Sequence, residues 1–426
     1  HRVSKFFNVG GTIMNLSEKP LTVKTNFGDE PISNTIWGLD FNYQHESRLL
    51  TRLVNKIPFI STKAPSKLTM NGEFAQFLPG HSKAVGKTGT SYIDDFEGSK
   101  STIDLKNPSQ WFLASTPQGQ IEPGLFPEAS PGSGLRYGYN RALFSWYIID
   151  PLFYDRQSSI RPRNISLNEL SSNSVRAVPE REVFPNADPP NNQPVNLPIL
   201  NLAFYPTQRG PYNFDVEGVA GLSAGIGADG KLLKPESRWG GIMRKIETSD
   251  FEAANVEYIE FWMMDPFADK MNHTGGQLMI NLGDVSEDVL RDGRKSFENG
   301  LPTSTDIKNV DTTIWGRVPK IQALTQAFDN NPTSRKFQDI GFDGLSDSDE
   351  RTFFKETYLD KIATIFNKTS TAYTSAENDP SGDDYHYFRG SDFDNDPFYG
   401  SILERYKRYN GPEGNSPASE QASELY

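Results

Sequence analysis

The alternation of apolar and polar residues in TIWGLDFNYQH, residues 35–45, constrains the fold more than any other feature of this sequence. Successive side chains of a β-strand point to opposite faces of a sheet, so this segment predicts a strand with one apolar and one mostly polar face. KLTMNGEFAQF, residues 67–77, repeats the pattern, and FFNVGGTIMNL, residues 6–16, shows it more weakly. The apolar face carries Trp37, Leu39, Phe41 and Tyr43, and the other face carries Ile36, Gly38, Asp40 and Asn42.

Two structures fit this pattern equally well. Strands of about 10 residues with a two-residue period are typical of membrane β-barrels. A soluble antiparallel sheet with one wet face produces the same alternation. Between the segments 35–45 and 67–77, the sequence RLLTRLVNKIPF, residues 48–59, predicts a short amphipathic helix.

The segment 91–345 has the pattern of a soluble, strand-rich region. Apolar runs separated by Gly- and Pro-rich loops predict strands at 141–150, 197–206, 239–246, 256–267 and 276–285. VEYIEFWMM, residues 256–264, is apolar on both faces, which favours a central strand of a β-sandwich. Each of Trp111, Trp146 and Trp262 lies in an apolar stretch and is expected in a core. A short helix is predicted in SEDVLRDGRKSFENG, residues 286–300.

The last part of the sequence is acidic and rich in loops. Its one helical stretch is DERTFFKETYLDKIATIFNKTSTAY, residues 349–373, where Phe353, Phe354, Tyr358, Ile362 and Ile365 stand near helical spacing. We therefore predict three regions: 1–90 with sheet strands, a β-sandwich over 91–345, and an extension with one helix over 346–426.

Composition excludes several classes of function. Cysteine is absent, which removes thiol nucleophiles, cysteine-type zinc sites and disulfides. The five histidines form no HxH or HxxxH pair, so a histidine-based metalloenzyme is not expected. The net charge of −12 with few basic runs argues against nucleic-acid binding. Only carboxylates remain for catalysis, and we predict that the protein is not an enzyme.

The acidic stretch SYIDDFEGSKSTIDL, residues 91–105, leaves three interpretations open. In a strand, Asp95 and Glu97 share a face and Asp94 points away. A glycosidase needs two carboxyl groups about 5 to 9 Å apart, usually from different strands, which one local cluster does not show. Ca²⁺ takes carboxylate and carbonyl oxygens that neighbouring residues often supply, so a calcium site is the second candidate. A hydrated strand end is the third.

Two further acidic groups have simpler interpretations. SDFDNDPF places Asp392, Asp394 and Asp396 at the first spacings of an EF-hand loop. Pro397 and Leu403 occupy the positions of the required glycine and bidentate glutamate, so a solvated loop is favoured. In DGLSDSDE, residues 343–350, Ser346 is expected to cap a helix whose first turn carries the acids.

Several long phrases resemble the SprA/Sov family, the giant outer-membrane translocons of the Bacteroidota type IX secretion system, which also serve gliding motility. These phrases are SYIDDFEGSKSTIDL, RWGGIMRKI, DFEAANVEYIEFWMMDPF, GDVSEDVLRDGRKSFENGLP and ILERYKRYNGPEGNSP. The resemblance implies an internal fragment of a very large single-chain β-barrel with soluble insertions and no catalytic residues. Residues 1–90 then become barrel wall, with Trp37, Leu39, Phe41 and Tyr43 facing lipid and Asp40 and Asn42 facing a wet lumen.

The same resemblance implies the biological setting. It places the chain in the outer membrane, with the soluble region outside the cell, as a conduit and docking scaffold for protein export. The implied partners are membrane lipid, secreted cargo and other secretion-system proteins, namely a barrel-bound shuttle protein, a plug and lipoproteins. The alternative function is a carbohydrate-binding or adhesin module of the cell surface.

A second resemblance concerns the opening acids. IDDFEGS, followed by YIEFWM and GGQLMINLGD, is similar to bacterial jelly-roll modules of the galactose- and carbohydrate-binding type. In those modules, acids near a D-D-F-E segment help to hold a structural calcium. The resemblance implies a jelly-roll-like sandwich and a structural calcium at Asp95 and Glu97, and it implies no other cofactor.

Overall fold

The protein is described by a computed structural model that covers residues 4–18, 31–82, 103–119, 124–130, 132–155, 161–185, 195–248, 250–252, 256, 258–268, 273, 275–294, 308–321, 331, 333, 341–390 and 392–409. Its contacts divide the chain into two compact units. Unit 1 consists of His1–Thr102, Pro179–Asn196 and Asp250–Glu260. Unit 2 consists of Ile103–Val178, Leu197–Ser249 and Phe261–Tyr426. The three regions predicted from the sequence stay a prediction.

Unit 1 is built around a three-stranded antiparallel meander. Strand β1 spans Phe7–Ser17, β2 spans Ser33–Ser47 and β3 spans Ser66–Leu78, in the order β1-β2-β3. Helix α1, Arg48–Val54, lies between β2 and β3, as predicted. The alternating segments become strands because each has a neighbour with the same two-residue period, so that apolar rows align across all three. A second short helix of unit 1, α2, spans Glu180–Val183.

Unit 2 contains short strand pairs linked by long irregular segments. Strand β4, Phe112–Leu113, pairs with β7, Ile242–Met243; β5, Ala142–Tyr147, pairs with β6, Asn201–Arg209; and β8, Val310–Thr312, pairs with β9, Arg317–Pro319. All three pairs are antiparallel. The strands predicted within 141–150, 197–206 and 239–246 are therefore present, the last one as two residues.

The helices of unit 2 follow one another near its C-terminal end. Helix α3 spans Asp347–Phe353, one π-helical turn spans Lys355–Leu359, α4 spans Asp360–Phe366, α5 spans Thr371–Asn378 and α6 spans Ile402–Lys407. The predicted helical stretch is thus confirmed, but it is broken into pieces. An α-helix has about 3.6 residues per turn, so side chains four residues apart rotate progressively around its axis. The wider π-helical turn opposes this rotation, and Phe354, Tyr358 and Ile362 are all buried in the core.

Unit 2 holds two aromatic clusters of buried residues. In the first core, the rings of Phe214 and Phe354 stack with centroids 4.4 Å apart. In the second core, the rings of Tyr147 and Tyr406 stack at 4.2 Å. Other fully buried members are Trp146, Trp315 and Tyr358 in the first core and Phe153 and Ile402 in the second.

The prediction that Trp262 lies in a core is wrong. Its side chain is 77% exposed, and none of the described residues 258–264 belongs to a strand. The same holds for the described residues 276–285, which were also predicted to form a strand. Apolar alternation marks a sequence that is suited to a sheet, but a strand forms only where a neighbouring strand completes its ladder. Trp146 is fully buried, as predicted, and Trp111 is partly buried against the first core.

The helix predicted over residues 286–300 is not formed in its described part, residues 286–294. The side chain of Asp288 accepts hydrogen bonds from the backbone N–H groups of Asp292 and Gly293, at 3.1 and 2.8 Å. Ser286 Oγ accepts another from Asp288 N, at 3.2 Å. Such local side-chain bonds compete with the helical ladder, and the chain is anchored instead by the buried Val289 and Leu290.

The predicted fold class, a mainly β chain with barrel-wall strands and an inserted β-sandwich, is confirmed only in part: the structure has small antiparallel sheets and several short helices. The barrel wall and the β-sandwich stay predictions. In the part of the chain that the structure describes, the strands form one sheet of three and three pairs. The jelly-roll arrangement stays a prediction. None of the described helices is long and apolar enough to cross a membrane.

Candidate functional site

The β1-β2-β3 sheet exposes one continuous apolar face, which we call the aromatic face. Phe41 of β2 lies opposite Val9 of β1 and Gly72 of β3, and Leu39 lies opposite Gly11 and Phe74. The side chains of Leu39 and Phe74 are about half exposed, and Ile13 is 76% exposed. The aromatic face consists of Phe7, Val9, Gly11, Ile13, Trp37, Leu39, Phe41, Tyr43, Met70, Gly72 and Phe74, with the polar Gln76 opposite Trp37 at one end.

The opposite side of the sheet, which we call the polar face, carries the intervening residues. Asn42 of β2 lies between Asn8 and Asn71, and Asp40 lies between Gly10 and Glu73. Asn42 Nδ2 donates a hydrogen bond of 2.8 Å to Asn71 Oδ1. The sheet is therefore amphipathic across its middle, as predicted from the β2 sequence.

Two glycines show directly that adjacent residues of β2 project in opposite directions. A Cβ built on Gly72 would lie 2.1 Å from Cε1 of Phe41, so the Phe41 ring covers this glycine. A Cβ built on Gly10 would lie 2.1 Å from Oδ1 of Asp40, so the Asp40 carboxylate covers that glycine on the polar face. Each large side chain thus occupies space that only glycine leaves free.

Aromatic contacts tie the strands together across the aromatic face. The rings of Trp37 and Phe74 approach to 5.4 Å between centroids, and those of Phe7 and Tyr43 to 6.4 Å. Trp37 Nε1 donates a hydrogen bond of 3.1 Å to Gln76 Oε1. Cross-strand aromatic pairs of this kind stabilise a sheet by roughly 0.2 to 1 kcal/mol each.

Unit 2 contains a second cluster of interest, formed by three buried carboxyl groups. One oxygen each of Asp343, Glu350 and Asp383 lies within 4.8 Å of the others. Ser381 lies among them: its hydroxyl donates to Asp343 Oδ2, and its backbone N–H donates to Glu350 Oε2 at 2.9 Å. Asp343 Oδ1 accepts from Leu345 N at 3.0 Å. Carboxylate oxygens are the ligands that Ca²⁺ and Mg²⁺ prefer. Bound protons can neutralise the negative charge of the same carboxylates in place of a metal ion.

Burial dominates the electrostatics of this cluster. Desolvation raises the pKa of Asp343 to about 7, and the hydrogen bond from Ser381 opposes that shift only in part. Nearby, partly buried Asp384 has its pKa raised to about 8, first by desolvation and then by the charges of Asp379 and Asp347. Asp343 and Asp384 therefore retain protons to a greater extent at neutral pH than exposed aspartates do.

Tyr212 connects the acid cluster to the chain after β6. Its hydroxyl donates to Asp383 Oδ2 at 2.8 Å and accepts from Phe342 N at 2.6 Å. Its backbone has φ = +60°, an unusual conformation for a fully buried aromatic residue. Burial raises the pKa of the Tyr212 phenol, which remains a hydrogen-bond donor.

The acids singled out from the sequence are distributed differently. Asp95 and Glu97, the predicted calcium ligands, lie outside the described residues. Asp394 pairs with buried Arg405 at 2.8 Å, and Asp396 Oδ1 accepts from Phe398 N at 2.8 Å. Asp392 Oδ2 lies 3.1 Å from Nε2 of His386. These three acids form contacts within an acidic loop, and their side chains remain partly or largely exposed, as expected for the solvated loop that the sequence favoured.

The group at 343–350 was only partly predicted. Ser346 occupies the N-cap position of α3, although its side chain makes no capping hydrogen bond, and three acids lie in the first helical turn. The association of Asp343 and Glu350 with Asp383 was missed. The sequence signal for it is weak, because Asp383 is one of two adjacent aspartates in a polar loop, SGDDY, distant in the chain.

Comparison with known families assigns the C-terminal part of the chain. The model of the SprA_N family, described as motility related/secretion protein, matches residues 357–426. This stretch is similar to the SprA_N family. Over these residues, which include the phrase ILERYKRYNGPEGNSP, the match confirms the resemblance to the SprA/Sov family. No curated protein matches the chain.

The SprA_N stretch is structurally central to unit 2. It supplies Tyr358 and Ile362 to the first core, and Phe388, Ile402 and Tyr406 to the second. The description of the matching family suggests a role related to motility or secretion.

Proposed function

We propose that this chain is a structural part of a protein-export channel in the outer membrane, serving type IX secretion and gliding motility, without enzymatic activity. The observation that carries the proposal is the exposed aromatic face of the β1-β2-β3 sheet, opposite a polar face. A soluble sheet buries its apolar side against a core, whereas a barrel wall in lipid exposes it. The secretion-related family of residues 357–426 supports the same setting.

The dimensions of the sheet support a membrane-spanning wall. The three strands have 11, 15 and 13 residues, and about 9 to 11 residues suffice for a tilted strand to cross the hydrocarbon layer. Trp37 and Tyr43 are six positions apart on β2, a distance of roughly 20 Å along the strand. Aromatic residues near the two ends of an apolar band are typical of barrel strands.

The edges of the sheet give the proposal a further basis. Within the described residues, β1 and β3 each pair with β2 alone. An open edge in lipid leaves backbone groups without hydrogen bonds, which is strongly unfavourable. We infer that further wall strands pair with both edges, and that Asp40 and Asn42 line a wet lumen.

Unit 2 is then an insertion that serves as a docking scaffold. Outer-membrane barrels have short periplasmic turns and longer extracellular loops, so an insertion of this size fits the outside of the cell. Its partners in this proposal are a shuttle protein, a plug, lipoproteins and secreted cargo.

Cysteine labelling tests on which side of the outer membrane unit 2 lies. Labelling of a Lys231→Cys variant on intact cells by a membrane-impermeant maleimide would support a position outside the cell. Labelling only in cells with a breached outer membrane would oppose it.

An alternating cysteine scan tests the wall itself. The chain has no cysteine, so single variants at positions 37 to 43 give unambiguous labelling. In membranes, a hydrophilic maleimide should modify Asp40→Cys and Asn42→Cys but not Leu39→Cys or Phe41→Cys. All four should react in denaturant, which controls for intrinsic reactivity. Equal labelling of both sets in membranes would contradict the proposal and favour a soluble sheet, as in the alternative of a surface adhesin.

A further inference from the structure

The connection between β2 and β3 presents a surface that is at once basic and apolar, which we call the 48–67 surface. It comprises α1 and the loop to β3. Its basic residues are Arg48, Arg52, Lys56, Lys63 and Lys67, and its exposed apolar residues are Leu49, Leu53, Ile57, Phe59 and Ile60.

The charge of this surface is opposite to that of the whole chain. From residue 47 to residue 72 the sequence has five basic residues and no acidic residue, in a chain of net charge −12. All five basic side chains are exposed. Among the described residues, none of the five forms an ion pair, although Lys67 of β3 lies opposite Glu46 of β2. Their charge is therefore available to an anionic partner.

The apolar part projects furthest at Phe59. Its side chain is fully exposed, at 109% of the reference area, and its backbone has φ = +71°. A bulky residue in this left-handed conformation is rare and costs free energy, which indicates a functional constraint on the loop. Ile57 and Ile60 flank the ring and are each about half exposed.

Hydrogen bonds hold the loop in this shape. Asn55 clamps its base, since Asn55 Oδ1 accepts from Thr62 N at 2.8 Å and Asn55 Nδ2 donates to Thr62 O at 3.1 Å. Ser47 caps α1 by accepting from Leu50 N at 3.3 Å. Thr51 Oγ1 accepts from Ser66 N at 2.8 Å, which ties the helix to the start of β3. The apolar tip is thus presented by a structured loop.

We propose that the 48–67 surface docks on the headgroup layer of an anionic lipid bilayer, with Phe59, Ile57 and Ile60 inserted at the acyl boundary. An exposed helix and loop that combine basic and apolar side chains have the composition of interfacial membrane anchors. Each basic residue near an anionic surface contributes attraction that salt screens. The charge complementarity therefore specifies anionic lipid as the occupant.

The position of the surface in unit 1 supports the same occupant. It begins where β2 ends and closes where β3 starts, next to Tyr43 and Leu68 at that end of the sheet. The 48–67 surface therefore lies at the end of the sheet that carries Tyr43 and Leu68. The inference rests on the proposed function in one respect: lipid contact of that face brings the 48–67 surface to a bilayer.

A fluorophore near the tip tests the docking in the full 426-residue chain. Ser61→Cys introduces the only thiol, at an exposed position two residues from Phe59. The protein, labelled with an environment-sensitive dye, is refolded into vesicles of phosphatidylcholine alone or with phosphatidylglycerol added. We expect a several-fold rise in fluorescence with the anionic vesicles and a much smaller rise with the zwitterionic ones. The same dye on Lys231→Cys in unit 2 should not respond.

Two loop variants separate charge from apolar insertion. Arg52→Gln/Lys56→Gln/Lys63→Gln should strongly reduce the preference for anionic vesicles, because each basic residue contributes roughly fivefold in partitioning and only Arg48 and Lys67 remain. Phe59→Ser/Ile60→Ser should reduce the rise in both kinds of vesicle. The matched control Lys231→Gln/Lys234→Gln neutralises two basic residues of unit 2 and should leave the response of the Ser61 label unchanged.

The outcomes that overturn the inference are distinct from failure of the proposed function. An equal rise in both kinds of vesicle would contradict recognition of anionic lipid. No rise in either, while a dye on Leu39→Cys reports lipid, would contradict docking of the loop and leave the membrane wall intact. Silence at both positions would overturn the proposed function together with this inference. A rise that requires an added protein and no lipid would assign the surface to a protein partner instead.

Discussion

The ring of Phe41 lies directly over Gly72 on the neighbouring strand, in the space that a Cβ atom at position 72 would need. We expect Gly72→Ala to displace the ring and to lower the free energy of unfolding of the sheet by about 1 to 3 kcal/mol. Denaturant unfolding in detergent micelles measures the change. Gly11→Ala is the matched control on the same face, because its Cβ would meet only the end of the Leu39 side chain, at 3.3 Å. Equal losses in both variants would contradict the role of the Phe41–Gly72 contact.

Protonation of the buried acid cluster predicts that unit 2 is more stable in mild acid than at neutral pH. The pKa of Asp343 is raised to about 7 by desolvation, above its value in the unfolded chain. The folded state therefore binds more protons between about pH 4 and 7, and stability falls as the pH rises through this range. We expect the melting temperature of unit 2 to be higher at mildly acidic pH than at slightly alkaline pH.

A variant isolates the contribution of Asp343 to this pH dependence. Asp343→Asn retains an oxygen that can accept from Leu345 N but has no titrating proton, so it should flatten the stability profile by roughly 1 to 3 kcal/mol over the range. Asp229→Asn, at an exposed residue, is the control and should leave the profile unchanged. A variant profile as steep as that of the parent chain would show that Asp343 is not the responsible group.

Arg405 is expected to be essential for the second core. Its guanidinium is completely buried and donates to Asn164 Oδ1, Asp394 Oδ1 and Tyr399 O, each at 2.8 Å. Arg405→Met should cost about 3 to 5 kcal/mol, because it removes a fully buried cation and leaves several partly buried acceptors without donors. Arg389→Met, which removes an exposed pair with Asp150 at 3.6 Å, should cost less than about 1 kcal/mol. Similar stabilities of the two variants in urea unfolding would refute the assignment.

Truncation of two tryptophans in apolar stretches is expected to lower stability by very different amounts. Trp146 is fully buried, and its Nε1 donates to Pro108 O at 3.2 Å, so Trp146→Ala should cost about 3 to 5 kcal/mol. Trp262 is mostly exposed, and Trp262→Ala should change stability by less than about 1 kcal/mol. Thermal unfolding of both variants decides the matter. A large loss at Trp262 would restore the original prediction that it packs in a core.

The sheet of unit 1 was predictable because its signal is local and repeated. Alternation around Trp37 and Phe41 determines which side chains share a face, and the register then aligns rows that each strand already contains. The exposure of that face could not be predicted from the same pattern. A wet sheet and a lipid-facing sheet have the same period, and they differ only in what covers the apolar side.

The acid cluster was not predictable because its members are distant in the sequence. Asp343 and Glu350 have a sufficient local explanation at the start of α3, and only the fold brings Asp383 to them through the turn at Ser381. Trp262 illustrates the opposite case. Its segment has strong strand propensity, yet a ladder depends on neighbours that propensity does not specify.

The position of the SprA_N stretch has a consequence for how unit 2 can be divided. Because Tyr358 and Ile362 complete one core and Ile402 and Tyr406 complete the other, a cut at the start of the stretch would separate the two halves of both. Such a cut would yield two fragments with exposed half-cores and no autonomous folding unit. The start of the family match at residue 357 and the boundary of the folded body are therefore different, and any excised domain must keep the chain from about residue 103 onward together with this stretch.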